Sequence, residues 1–478
     1  MSTFGGLNTA YQGLNAARQG INLAGQNIAN VNTEGYTRQR IEQSAIGTTA
    51  PTGLTTGDAR PGQGVSVDGV ARLGNSFLDA GVRNSSAQAG YASIRSSELQ
   101  RIEGACQEPG DQGITTALQG FWAAWQGVSN HPGEATPAAV LLQSASSLAG
   151  KVTAGYQALD SQWSRVRAEA AANVKTVNDA AAQVAGYNST IRSILAAGGS
   201  ANELIDARNK AIETIASLAG GTVRNNVDGT ADVLVGANVL VAGRSTRTIA
   251  LAGQSTMTGP GTPVQMEWQD RPGQQAGVDG GWLAGAVTLL APAAAMSGAA
   301  AGSGGAIAEA AASYDAFAAK LAADINAVHR AGQSTTGAAN LDFFATTTTG
   351  SAALSLRVVP RDATGIATGA AGSGALDGST ADALAQLGAG ATSPDRAWTA
   401  VVTGIGLLSR SAQQHEQLAN AANVSAAGQR DAGASVSLDE ENISLLSNQH
   451  AYQAAARVMT AVDEALDVLI NRTGLVGR

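Results

Sequence analysis

The sequence predicts a mainly α protein with an inserted β domain, and three observations support this fold class. Apolar residues recur every seven positions near both chain ends, which is the period of helices that pack along their length. Alanine-rich segments, which favour helix, occupy much of the chain between those ends. Residues 220–290 differ, because valines lie there among turn dipeptides such as Asp228-Gly229, a pattern typical of a small antiparallel sheet.

Two rows of apolar residues, each spaced by seven, predict an amphipathic helix over the first 31 residues. The first row consists of Leu7, Leu14, Ile21 and Ile28. The second row consists of Ala10, Ala17, Ala24 and Val31. Because alanine is small, the second row permits the close approach of a partner helix. Glu34-Gly35 is expected to end the helix.

The last 41 residues mirror this pattern. Ser437 and Glu440 are spaced as a capping box, which predicts a helix that begins there. One apolar row consists of Leu438, Leu445, Tyr452, Met459 and Leu466. The second row consists of Ala455, Val462 and Leu469. We therefore expect the two ends to pair as a coiled-coil-like unit, with assembly contacts along Leu7–Val31 and Leu445–Leu469.

Further elements are predicted between the ends. The expected helices cover 82–106, 112–150, 163–194, 305–331 and 396–430. Pro132-Gly133 and Pro137 are expected to interrupt the second of these helices. Val264–Trp268 alternates as a strand does, and Leu354–Val359 predicts a weak strand beside the same β unit.

These elements predict three nested domains. The expected division is a terminal coiled-coil domain of 1–60 plus 435–478, a helical rod domain of 61–215 plus 290–340 plus 395–434, and a β-rich outer domain of 216–289 plus 341–394.

Composition and motifs limit the classes of function. The net charge of −8 disfavours partners such as nucleic acid or an anionic membrane surface. Gly285 and Pro292 interrupt the most apolar stretch, 283–301, so we expect no transmembrane helix. The single cysteine, Cys106, is interpreted as a small buried hydrophobe.

No catalytic residue, cofactor or metal site is predicted, and an enzyme has no support in the sequence. The four histidines lie far apart and lack the i, i+4 spacing of a helical metal site. Three consecutive acidic residues, Asp439, Glu440 and Glu441, include a candidate carboxylate pair for hydrolysis. Their place at a helix N-terminus favours capping instead. Tyr452 is interpreted as a packing residue because it lies in a heptad row.

Two terminal helices with a mostly alanine second row leave apolar surface exposed after they pair. Identical copies packed head to tail would cover that surface, which predicts a ring or a helical tube. The alternative is an ordinary intramolecular bundle, in which the terminal helices dock on the central ones. Periodicity alone leaves both arrangements open.

Four stretches, in order along the chain, carry a resemblance to a known family. Leu14–Arg38 resembles the N-terminal signature of the bacterial flagellar rod, hook and hook-associated proteins. Arg101–Gln126 and Asn202–Arg208 are similar to conserved blocks of the hook-associated members. Leu438–Glu441, followed by Gln449–Ala454, resembles the C-terminal signature of the family.

The resemblance implies a structural role at the junction between the flagellar hook and filament. It implies a homo-oligomeric ring or helical layer, with the hook protein and a second hook–filament junction protein as partners. It also implies a cytoplasmic export chaperone on the C-terminal helix, and export through the flagellar type III channel to the outside of the cell. The N-terminus agrees with uncleaved export, since it lacks a basic and an apolar signal region.

Two alternatives remain at this stage. One is another axial protein, such as the hook or a rod subunit. The other is an axial scaffold that carries a cell-wall hydrolase, for which residues 220–290 and 333–394 are the available insertions.

Overall fold

The computed structural model describes residues 3–47, 62–294, 303–468 and 470, with side-chain detail from residue 5 onwards. Its helices are α1 (Thr3–Ala29), α2 (Ser76–Cys106), α3 (Ile114–Asn130), α4 (Ala135–Ala196), α5 (Asn202–Ala219), α6 (Gly281–Leu290), α7 (Ala306–Ala331), α8 (Ala352–Ser355), α9 (Ser379–Gln386), α10 (Pro394–Ala434) and α11 (Leu438–Asp467). The prediction of a mainly helical chain is therefore confirmed.

The strands are short. They are β1 (Gln39–Ala45), β2 (Val65–Arg72), β3 (Thr222–Asn225), β4 (Ala231–Val235), β5 (Asn238–Ala242), β6 (Ser245–Thr246), β7 (Ile249–Ala252), β8 (Gln265–Trp268), β9 (Arg271–Gln275), β10 (Gly332–Ser334), β11 (Phe344–Ala345), β12 (Arg357–Val358) and β13 (Ala367–Ala370). The described strands form antiparallel sheets in the orders β1-β2, β3-β4-β5-β6, β7-β8-β9, β10-β13 and β11-β12.

The longest helix, α4, is the spine of the molecule. Its 62 residues extend about 93 Å at 1.5 Å per residue. The predicted break falls between α3 and α4, at Pro132-Gly133. Pro137 lies within the first turn of α4, where its missing N–H removes no helical hydrogen bond.

The two β regions attach to opposite halves of α4. On the C-terminal half, the side chain of Asn188 bonds both the N–H and the C=O of Ala231, at 3.0 and 2.8 Å. On the N-terminal half, the Thr153 hydroxyl donates to the carbonyl of Ala353 at 2.8 Å. Thr153 and Asn188 are about 50 Å apart along the helix. The region expected as one β-rich domain, 216–289 plus 341–394, thus forms two separate β units.

Three elements differ from the sequence-based expectation. Residues 281–290 form helix α6 rather than strand, because a short apolar run fits a buried helix as well as a buried strand. Leu354–Val359 contains the end of a helical turn and only two strand residues. The hairpin of β1 and β2 was not expected, and its strands lie on either side of the expected boundary at residue 60.

The rod core lies among α2, α3, α4, α7 and α10. The few aromatic residues concentrate there, and the fully buried ones include Phe121, Trp125, Trp163, Tyr314 and Trp398. Cys106 is buried in the same core, as expected, and burial raises the pKa of its thiol. None of the described helices combines the length and hydropathy needed to cross a bilayer.

His329 is fully buried on α7 and fixes the β10–β13 region to the rod. Its Nδ1 donates to the carbonyl of Leu341 at 2.7 Å, and its Nε2 accepts from the N–H of Ala367 at 2.9 Å. The second contact requires a neutral ring, because a protonated Nε2 cannot accept a hydrogen bond. Burial lowers the pKa of His329, against smaller raising effects from Leu341 and Asp342.

Because the pKa of His329 is lower in the folded chain, the unfolded chain binds more protons below about pH 6.5, and acid removes stability there. We expect the urea midpoint to fall between pH 7.5 and pH 5.5, and to fall less in His329→Gln. Exposed His415 is the matched control, since His415→Gln is expected to keep the wild-type pH dependence. An unchanged pH dependence in His329→Gln contradicts this assignment.

Candidate assembly interface

The two chain ends meet as an antiparallel helix pair, α1 against α11. A row of three glycines on α1 provides the closest approach. A methyl group on Gly6 would lie 3.8 Å from Cγ2 of Val462, and one on Gly13 would lie 3.9 Å from Cβ of Ala455. A methyl group on Gly20 would overlap the amide of Asn448. Each step of seven residues toward the C-terminus of α1 corresponds to a step of seven residues toward the N-terminus of α11. The three contacts therefore share one antiparallel register.

The residues predicted from the heptad rows flank this glycine row. Half-buried positions are Leu7, Leu14, Ile21, Ile28, Val31, Leu445, Met459, Val462 and Leu466. Tyr452 is 38% exposed, and Leu469 lies outside the described residues. Ala10, Ala17 and Ala24 are buried. Sequence reasoning missed the glycines, although Gly6, Gly13 and Gly20 share the same seven-residue spacing.

The outer face of α11 is apolar and exposed. Ile443, Leu446 and Val458 are 68%, 55% and 49% exposed. Ala454, Ala461 and Ala465 are also exposed and extend the same surface along the helix. We call this surface the outer stripe. Exposed apolar surface is typical of protein–protein contact sites, so the outer stripe is a candidate for one.

A buried polar joint closes the end of the helix pair nearest the rod. Asn27 is 1% exposed, and its amide donates to the Gln39 carbonyl at 2.9 Å and to Glu441 Oε2 at 3.1 Å. Its Oδ1 accepts from the Tyr36 hydroxyl at 2.8 Å and from the Gln39 N–H at 3.2 Å. These four bonds satisfy the whole hydrogen-bonding capacity of the side chain.

Arg38 binds the first turn of α11. Its Nε lies 2.6 Å from Oε1 of Glu441, which is 3% exposed, and its guanidinium also pairs with Glu440. Burial lowers the pKa of Arg38, but the bonds to both carboxylates outweigh it and raise the pKa overall. Ser437 caps the helix, accepting from the Glu440 N–H. The carboxylate of Glu440 reaches Arg38, where a capping box would turn it back to the Ser437 N–H.

The same joint reaches α5 of the rod. Gln39 donates to Glu203 at 3.0 Å and accepts from Asn202 at 3.1 Å. Asp206 accepts from the Thr37 N–H at 3.0 Å and pairs with Arg72 of β2. The sequence stretches 14–38, 202–208 and 438–441 therefore converge on one cluster of hydrogen bonds.

Tyr36 and Arg208 show how strongly the neighbourhood is buried. Burial, together with the carboxylates of Glu203, Asp206 and Glu441, raises the pKa of Tyr36 to about 12. Arg208 donates to the Gly229 carbonyl at 2.7 Å and to Asn188 at 3.1 Å. Burial lowers its pKa to about 10.

The side chains of this site make structural contacts between segments of the chain. In the described residues, no group of three or more His, Cys, Asp or Glu side chains is placed to hold a metal ion. Glu440 and Glu441 are engaged in ion pairs with Arg38. The arrangement holds two chain ends together, ties them to the rod and presents an apolar face outward.

Three family models match the chain. The flagellar hook-associated protein FlgK helical domain matches residues 99–344, just over half of the chain. The flagella basal body rod protein model matches 7–37, and the flagellar basal body rod FlgEFG protein C-terminal model matches 429–472. The two rod models thus cover the paired helices, and the FlgK model covers much of the rod.

Similar proteins agree with these matches. Flagellar hook-associated protein 1 of Bacillus subtilis is 27% identical over 100% of both chains. That of Salmonella typhimurium is 25% identical over 47% of this chain and 40% of its own length. The solved structure of the flagellar hook junction protein FlgK from Burkholderia pseudomallei shares the fold, with a TM-score of 0.58 and 14% identity. It covers 76% of this chain and 100% of that chain.

Paired chain ends on a helical rod, together with these matches, define a structural component of the flagellar axis. The chain belongs to the flagellar hook-associated protein FlgK family.

The glycine row predicts a position-specific effect of bulk on α1. Gly20→Leu is expected to push α11 away, because Asn448 already occupies the space beside Gly20. Gly25→Leu is the matched control, since open space surrounds Gly25. Amide hydrogen exchange should show lost protection in α1 and α11 for Gly20→Leu only. Equal protection in the two variants would show that the glycine row does not set the helix spacing.

The joint predicts that Arg38→Ala destabilises α11 by about 3 kcal/mol, the low end for a broken buried ion pair. The low end applies because Arg38 is 25% exposed while Glu441 is 3% exposed. Arg40→Ala is the control, because Arg40 is an exposed arginine two residues away, on β1. The measurement is the opening free energy of α11 amides by hydrogen exchange. A loss below 1 kcal/mol contradicts the importance of the ion pair.

Proposed function

We propose that this protein forms the junction between the flagellar hook and filament, by packing its paired terminal helices against those of neighbouring copies. The observation that carries the proposal is the outer stripe of α11, which stays exposed after α1 has paired with α11. Burying the exposed parts of Ile443, Leu446 and Val458 against a neighbour contributes about 1–2 kcal/mol for each side chain, since about a third to a half of each residue is already covered.

The assembled form is a homo-oligomeric ring or helical layer. The outer stripe on α11 differs from the α1 surface behind it, so a contact between copies is head to tail and repeats around an axis. In this arrangement the terminal helices supply a coiled-coil-like assembly domain at the centre. The rod and the two β units lie outside it.

The hook protein on one side and a second hook–filament junction protein on the other are the proposed neighbours of this layer. Before export, a cytoplasmic chaperone covers the C-terminal helix. The outer stripe suits such a partner, since an amphipathic helix lies with its apolar face in a groove. Export leads through the flagellar type III channel without a cleaved signal, and the protein acts outside the cell.

A hook or rod subunit is the second candidate, because rod-type models match the two terminal segments. Those segments form the helix pair that the axial proteins share. The match of 99–344 to the hook-associated helical domain favours the junction. A hydrolase-bearing scaffold has no observation in its favour.

The test is a double substitution on the outer stripe in the full-length chain. Ile443→Asp with Val458→Asp is expected to keep the fold, because both side chains are exposed, and to abolish filament attachment and motility in a strain that lacks the native protein. Gln449→Asp with Gln453→Asp is the matched control on exposed residues of α11, with motility retained. Normal motility of the stripe variant would overturn the proposed packing.

Immunogold labelling of the wild-type chain decides between the two candidates. A single band at the distal end of the hook is expected for a junction protein. Label along the whole hook, or inside the basal body, would identify a hook or a rod subunit.

A further inference from the structure

Small residues form the centre of the contact between α1 and α11, and the larger apolar residues beside them repeat every seven positions, so packing determines the heptad register of the pair only weakly. The facing pairs are Gly6 with Val462, Gly13 with Ala455 and Gly20 with Asn448. A slip of one heptad would place Gly13 opposite Val462 and Gly20 opposite Ala455. Glycine accepts each of these neighbours, so the slipped pair would bury similar side chains.

The connection of α1 to β1 also permits such a slip. One heptad corresponds to about 10.5 Å along a helix. Residues 30–38 join α1 to β1, and nine residues span up to about 30 Å when extended. The chain therefore needs a feature other than apolar packing and tether length to select one register.

We propose that Asn27 and Glu441 are the residues that determine the register of the terminal helices. They form the next facing pair after Gly20 and Asn448, seven residues further along each helix. They are the buried polar contact of the interface, with exposed fractions of 1% and 3% and an amide-to-carboxylate distance of 3.1 Å. A buried polar pair at one core position is a known device for fixing helix register.

A slip of one heptad would break the contact between Asn27 and Glu441. A relative shift of the two helices by one heptad leaves Glu441 past Ala29, the last residue of α1, and removes it from both Asn27 and Arg38. A buried carboxylate that loses its cation and its amide donor is strongly destabilised. Asn27 is in turn held by Tyr36 and Gln39, so the rod side of the joint fixes its position. The register is thereby set relative to the rod as well.

Cysteine pairs report the register directly in the full-length chain. Gly13→Cys with Ala455→Cys reports the native register, because Cβ atoms 3.9 Å apart suit a disulfide. Gly13→Cys with Val462→Cys reports the slipped register. The natural Cys106 is buried and is retained. Each pair is oxidised with oxidised glutathione, and the cross-linked fraction is measured by electrophoresis.

In the otherwise wild-type chain, the native pair is expected to cross-link more than about tenfold over the slipped pair. In Asn27→Leu with Glu441→Leu, the ratio is expected to fall to within about threefold, since leucines pack without choosing a register. Asn22→Leu with Asn442→Leu changes exposed positions of the same helices and should keep the wild-type ratio. Glu441→Gln retains an acceptor for Asn27 but loses the ion pair with Arg38, so its native preference should lie between those of the wild-type and double-leucine chains.

Three results would overturn the proposal. One is a native preference in the double-leucine variant equal to that of the wild-type chain. Another is the loss of both cross-links in that variant, which would show that Asn27 and Glu441 support pairing as such and select no register. Equal native and slipped yields in the wild-type chain would also overturn it. The inference concerns contacts within one chain, so it stands or falls independently of the proposed role at the junction.

Discussion

The contact between Asn27 and Glu441 is the interaction on which the rest of the terminal structure depends. It joins residues 414 positions apart in the chain, and Arg38 completes it with an ion pair. A buried carboxylate without such partners would oppose folding. With them, the first turn of α11 is tied to the end of α1, and through Gln39 both helices are tied to α5.

Small residues explain the rest of the terminal pair. A glycine inside a helix costs about 1 kcal/mol relative to alanine, yet α1 carries glycines at three core-facing positions. These glycines allow the two helix backbones to approach closely. The outer face of the helix pair remains exposed. Tryptophan side chains are absent from the described part of this pair. The tryptophans Trp125, Trp163 and Trp398 lie in the rod core, where a single chain must be stable by itself.

The long helix α4 supports the two β units. It carries one β unit on each half, held by side chains such as Asn188 and Thr153 that bond the backbone of a strand or short helix. The sheets themselves are small, and they gain stability from the helix beneath them. The outer stripe of α11 is a candidate surface for contact between copies, and α10 of the rod also exposes apolar side chains, among them Leu407, Leu418 and Val424.

The sequence by itself determined which segments are helical and which faces of the end helices are apolar, because these features repeat every few residues. It also carried the family signatures at 14–38, 202–208 and 438–441. Only the tertiary structure decided that these signatures meet, that Gly6, Gly13 and Gly20 form the contact row, and that the β region divides into two units. The physical reason is the separation along the sequence of the residues that interact. Sequence periodicity reflects the geometry of a helix over a few residues, whereas the contact between Asn27 and Glu441 forms only when the chain ends are brought together.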